Sequence, residues 1–197
     1  MPSEDIIGRK LREWTAGQSP RQAMMTLFYK IRDIPYGILP ELNSPKQYLR
    51  ILETNMGSCT PKHLLMCNMF LKLGLDVLYA IYPYRWAEFE ELYPPELWKL
   101  ARKMAPVNHL ACRVYLEGRY VLVDATVDPP LGKIGLPFAQ SWDGKSDTPL
   151  PVLPIGKEEL YHPSEAELMP PPDLDDNARA FYDGLNRYFQ DIRNGKL

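Results

Sequence analysis

Apolar residues in the first third of the chain recur at helical spacing. Met24, Leu27, Phe28 and Ile31 share one face, and Ser19-Pro20 ahead of them supplies a capping hydroxyl and a proline suited to the first helical position. Pro35 closes that helix. The same hydroxyl–proline signal precedes two more helical patterns. Ser44-Pro45 leads into Tyr48, Leu49 and Leu52, and Thr60-Pro61 leads into Leu64, Leu65, Met69, Leu71 and Leu73, with Gly74 placed to stop the last. Residues 4–16 form a weaker helix carrying Ile7, Leu11 and Trp14. From Asp76 the period changes. Val77 to Tyr82 reads as a buried strand, and two further runs, His109–Leu116 and Tyr120–Thr126, flank Glu117-Gly118 as a hairpin.

Between the first strand and the hairpin, residues 83–106 are broken by Pro83, Pro94, Pro95 and Pro106. Glu96 to Met104 suits a short helix. The aromatics Trp86, Phe89, Tyr93 and Trp98 suit a cover over the sheet, with a lid or substrate wall as the alternative. Residues 127–172 are rich in proline and glycine and predict an extended surface segment. A C-terminal helix over 173–194, capped by Asp173, places Leu174, Ala178, Phe181, Leu185, Phe189 and Ile192 on one side, to dock on the body. The whole reads as one α+β domain, 1–197, with helices packed on a small antiparallel sheet and a core over about 20–130.

Composition narrows the class. With 197 residues, 45% hydrophobic, 24% charged and a net charge of −2, the chain suits a soluble globular domain and gives no electrostatic reason to expect nucleic acid. Met1 to Trp14 lacks the apolar core of a signal peptide, and no stretch approaches the ~20 apolar residues that span a bilayer. The expectation is a cytoplasmic protein with no membrane partner. Three cysteines, Cys59, Cys67 and Cys112, suit reduced thiols.

Chemistry concentrates on Cys59. It follows Gly57-Ser58 at the start of a helix, whose positive end stabilises a thiolate. A thiolate nucleophile needs a base, and the base needs an orienting group. His63 is four residues away on the same helix, and His162 lies in the proline-rich segment. His109, opening a strand, is the best placed. If Glu117-Gly118 is a two-residue turn, Leu116 pairs with Arg119, and His109, Ala111, Asp124 and Thr126 share one face. His109 and Asp124 are then diagonal neighbours within side-chain reach. Cys112 falls on the opposite face. The backbone N–H of Cys59 is one oxyanion donor, and Asn55, Gln47 or Tyr36 is a candidate for the second. Cys59, His63 and Cys67 also line one helix face and with His109 would make a zinc set. Cys67 sits among Leu64, Met66 and Met69 as a core residue does, so neither metal nor cofactor is expected.

Gly57-Ser58-Cys59 with its helix, then Asn108-His109-Leu110-Ala111-Cys112-Arg113-Val114-Tyr115-Leu116, then Gly118-Arg119-Tyr120-Val121-Leu122-Val123-Asp124-Ala125-Thr126, resembles the transglutaminase-like superfamily of papain-type Cys-His-Asp proteins. Phe28 to Tyr36 is similar to that family's lead-in helix. The likeness covers roughly residues 20–130. It departs at His109-Leu110-Ala111, where the family often has His-Ala-Trp, and at Tyr120, where a tryptophan is frequent. The resemblance implies a papain-like core with Cys59 as nucleophile, His109 as base and Asp124 as orienter, acting without a cofactor on a peptide or protein amide. Hydrolysis is favoured over transfer to an amine, because water is always present. The rival expectation is a binding or scaffolding domain that keeps the fold without turnover.

Overall fold

The computed structural model describes residues 5–164 and 174–196. Helices α1 (Ile6–Thr15), α2 (Pro20–Arg32), α3 (Ile51–Thr54) and α4 (Cys59–Lys72) precede strand β1 (Val77–Tyr84). Helix α5 (Pro95–Ala101), strands β2 (Val107–Leu116), β3 (Arg119–Val123) and β4 (Glu159–Tyr161), and helix α6 (Asp176–Arg193) follow. The strands form one antiparallel sheet in the order β3-β2-β1-β4. The expected α+β class therefore holds.

The hairpin register is the expected one. Leu116 pairs with Arg119 and Cys112 with Val123. Both turn residues, Glu117 and Gly118, have positive φ, of 48° and 91°. Two positive φ values in a two-residue loop give the turn whose twist matches the strands. Strand alternation then sends side chains to two cores. Val77, Tyr79, Cys112, Val114, Val121 and Val123 pack with Leu27, Phe28 and Ile31 of α2 and Leu64, Leu65 and Phe70 of α4. Ala80, Tyr82, Tyr84, Ala111 and Leu122 pack with Trp86, with Leu97 of α5 and with Phe181, Leu185 and Phe189 of α6. Helices thus cover both sheet faces. Cys67 and Cys112 are buried in the first core, on the face expected for them.

Three local readings change. Ser44-Pro45 opens no regular helix. Ser44 instead closes a turn with the N–H groups of Lys46 and Gln47. A single 3-10 turn, Tyr48–Arg50, and the four-residue α3 follow, and Asn55 ends α3 in the left-handed conformation at φ 46°. The cap of α4 is Ser58 rather than Thr60, so Cys59 occupies the first helical position. Pro61 is tolerated two residues further on, because first-turn N–H groups have no helical partner to lose. Third, the proline-rich segment adds the edge strand β4 and a 3-10 turn, Pro129–Ile134, that patterning did not reveal. The expected cap Asp173 lies outside the described residues. Asp175 caps α6 through a bond from Ala178 N–H.

Helix α6 docks on the body by polar clamps as well as by its apolar face. The Arg193 guanidinium donates to both Asp128 carboxylate oxygens, at 2.8 and 2.7 Å, and to the Tyr36 carbonyl at 2.7 Å. Asp128 also accepts from Tyr36 N–H. The Asn186 amide brackets Ile38, accepting from its N–H at 2.7 Å and donating to its carbonyl at 2.8 Å. Removing Arg193 leaves a buried carboxylate without its cation. Arg193→Ala should cost about 3 kcal/mol in chemical denaturation and should raise amide exchange along α6 before the sheet opens.

Candidate active site

The site lies where β3 stops short of its neighbour. Past the Cys112–Val123 pair the chain leaves the ladder, and its backbone groups need other partners. The first turn of α4 supplies them. His63 Nε2 accepts from Ala125 N–H at 3.0 Å, while His63 Nδ1 bonds the Cys59 carbonyl at 2.9 Å. An accepting Nε2 places the ring proton on Nδ1, so His63 is the neutral tautomer. Lys62, fully buried, donates to the carbonyls of Arg32 at 3.0 Å, Ala125 at 3.3 Å and Thr126 at 2.7 Å. Three ammonium hydrogens meet three carbonyls. The start of α4, the end of α2 and the chain after β3 are thereby stitched together.

Gly57 lets the thiol helix start here. It is held between Pro35 and Gly37 by backbone bonds, and a Cβ on it would lie 2.5 Å from Ile51 Cδ1 in the core. With Ser58 as cap, the Cys59 N–H belongs to the first turn and has no helical acceptor.

The structure brings Cys59, His109 and Asp124 together. His109 Nε2 and Asp124 Oδ2 are 2.6 Å apart. Asp124 Oδ1 accepts from Thr126 N–H at 2.9 Å. Nε2 is committed to Asp124, and the imidazole lies within electrostatic range of the Cys59 thiol.

The electrostatics are those of an ion pair. Burial pushes the Cys59 thiol up, but His109 beside it reverses this, leaving the thiol below its ordinary value. Burial pulls His109 down, yet the charges of Asp124 and Cys59 and its bond to Asp124 lift it to about 10. Burial raises Asp124, and the charge and hydrogen bond of His109, with the Thr126 N–H, then hold it at about 2. The favoured state is thiolate, imidazolium and carboxylate in a row.

Of the candidate oxyanion donors, the structure retains only Tyr36 beside the thiol. Its side chain is buried, lies within charge range of Cys59 and, through burial, holds its phenol proton far more tightly than usual. Asn55 and Gln47 are exposed and serve as the end of α3 and the cap of the Tyr48–Arg50 turn. Both ring nitrogens of His63 are engaged, and Cys67 is in the core, so neither side chain faces a metal position.

The site is closed. Cys59 is 7% exposed, His109 2% and Asp124 5%. A small cavity of about 20 Å³ adjoins His109, walled by Tyr36, Tyr84, Trp86, Phe89, Tyr93 and, from α6, Phe189. Segment 83–106 therefore forms a wall beside the triad. Sequence reasoning passed over Lys62 and the structural role of His63. Their signal was present: Leu64-Leu65-Met66-Cys67 directly after them leaves this helix no solvent face for a lysine.

No protein-family model and no curated protein matches this chain. Among solved structures, three chains match. One is a candidate cysteine protease from Cytophaga hutchinsonii, 18% identical, with a TM-score of 0.44; the match covers 65% of this chain and 39% of that one. Among the described residues no helix is long and apolar enough to cross a membrane.

The neutral His63 makes stability pH-dependent. Burial lowers it from 6.5 to about 4. The unfolded chain therefore takes up this proton first as pH falls, and stability is lost between pH 6.5 and 4. The loss should reach about 3 kcal/mol in denaturant titrations, and should shrink in His63→Gln, whose own starting stability is lower.

Proposed function

We propose that this protein is a cysteine-dependent acyl-transfer enzyme acting on amide or peptide bonds. The observation that carries the reading is the buried thiol–imidazole–carboxylate row at the start of a helix. A core cysteine with no chemical task has no reason to face an imidazole whose charge is held by an aspartate.

In this reading the Cys59 thiolate attacks the carbonyl carbon. A C–S bond forms and the π electrons move onto oxygen, toward the Cys59 N–H and the Tyr36 hydroxyl. Collapse breaks the C–N bond, and His109 passes its proton to the departing amine. Water then gives a proton to His109, attacks the thioester and releases the acid and the thiolate. An amine in place of water would complete a transamidation by the same steps. Asp124 holds the ring with Nδ1 toward sulfur and stabilises its charge. Neither a metal nor a cofactor enters the scheme.

One observation favours a second reading, a binding domain of the same fold without turnover: Cys59, His109 and Asp124 are all buried. Thiol reactivity separates the two. Alkylation of Cys59 by iodoacetamide, followed by peptide mass spectrometry, should rise with pH through a midpoint below the ordinary thiol value of 9.0. His109→Ala removes the charge that offsets burial, so the rate at pH 7 should drop at least ten-fold. Slow alkylation with an ordinary thiol profile, unchanged in His109→Ala, supports the binding domain. Tyr36→Phe should lower turnover of an amide substrate about ten-fold or more with little change in alkylation.

A further inference from the structure

Among the described residues two buried side-chain polar atoms have no hydrogen-bond partner, Trp86 Nε1 and Thr126 Oγ1, and both residues line the cavity beside His109. Their side chains sit in residues 6% and 2% exposed. The Tyr182 hydroxyl faces the indole without completing a hydrogen bond. An orphaned buried donor is costly, about 1–3 kcal/mol, and native proteins retain few of them. Both residues line the same cavity, so a ligand entering it meets two unpaired polar groups.

The chemistry of that atom follows from its surroundings. Indole N–H only donates, and a threonine hydroxyl both donates and accepts, so the shared partner is an acceptor. Apart from His109, whose charge is matched by Asp124, the cavity wall carries no Asp, Glu, Lys or Arg. The remaining wall is aromatic or aliphatic. A charged group there would lose its hydration without gaining a counter-ion. The volume, about 20 Å³, admits a group of carbonyl or methyl size. Thr126 and His109 line the same cavity, and Tyr36 and Tyr84, also in its wall, lie within charge range of Cys59. The cavity and the thiol are neighbours.

We propose that this cavity is a substrate subsite that selects a small neutral group bearing a carbonyl oxygen, received by the Trp86 N–H and the Thr126 hydroxyl. The assignment rests on Cys59 being the nucleophile of the site. Trp86 and Thr126 act as binding residues, and the substrates favoured carry a short uncharged carbonyl substituent close to the scissile amide.

N-substituted chloroacetamides test this. The thiolate displaces chloride, a C–S bond forms as C–Cl breaks, and the substituent explores the site. Three substituents of nearly equal shape differ in chemistry: 2-oxopropyl, 2-methylallyl and carboxymethyl. N-methylchloroacetamide serves as the reference. In the native protein the ketone should label Cys59 roughly ten-fold faster than the alkene, the value of one net hydrogen bond, and the carboxylate should be slowest. In Trp86→Phe and in Thr126→Val the ketone-to-alkene ratio should fall toward one. The ratio is taken within each variant, so changes in thiol reactivity or folding cancel. A ratio near one in the native protein, or one that survives both variants, overturns the proposal and leaves a cavity that holds only water. Failure of the reference compound to label Cys59 in a His109-dependent way instead overturns the nucleophile reading, and this proposal with it.

Discussion

Asp124 is an ionised carboxylate in the interior, and the surrounding structure is arranged so that it can stay ionised. Burial alone would neutralise it. His109 on one oxygen and the Thr126 N–H on the other reverse that tendency. The charge of Asp124 in turn lifts His109, and the charge of His109 lowers the Cys59 thiol. The positions of the three groups come from three separate elements: the end of β3, the start of β2 and the start of α4.

The seam between α4 and the chain after β3 sets this geometry. A strand that ends early exposes backbone donors and acceptors, and water normally satisfies them. Here the Lys62 ammonium and the neutral His63 ring do so from the helix. Adjacent residues on one helical turn thus anchor the elements that carry Cys59 and Asp124. Burial draws Lys62 down to about 7 and His63 to about 4, a measure of how dry the seam is. That dryness strengthens the ion pair beside it.

Closure is the other defining property. Helix α6, clamped through Arg193 to Asp128 and Tyr36, places Phe189 beside Tyr36 and shuts the His109 side. Trp86, Phe89 and Tyr93 form the remaining wall. Helix α6 is held by its apolar face and by polar contacts of Asn177, Asn186, Tyr188 and Arg193. The same cover excludes water from the thiolate, which protects it and raises the worth of each hydrogen bond it receives.

Hydrophobic period, capping residues and the Glu117-Gly118 turn were enough to place α2, α4, α6, β1 and the β2–β3 register, since each depends on neighbours a few residues apart. The register alone put His109 and Asp124 on one face. The short α3, the edge strand β4 and the choice of Ser58 as the cap of α4 escaped the pattern, because turn closure and long-range pairing outweigh propensity over so few residues. Cys59 was legible as a helix-start thiol. Its meeting with His109, the exclusion of Asn55 and Gln47 from the site, the burial of Lys62 and the cover of α6 were decided in three dimensions. Each depends on where a strand far away in sequence runs out of partners, and no local spacing encodes that.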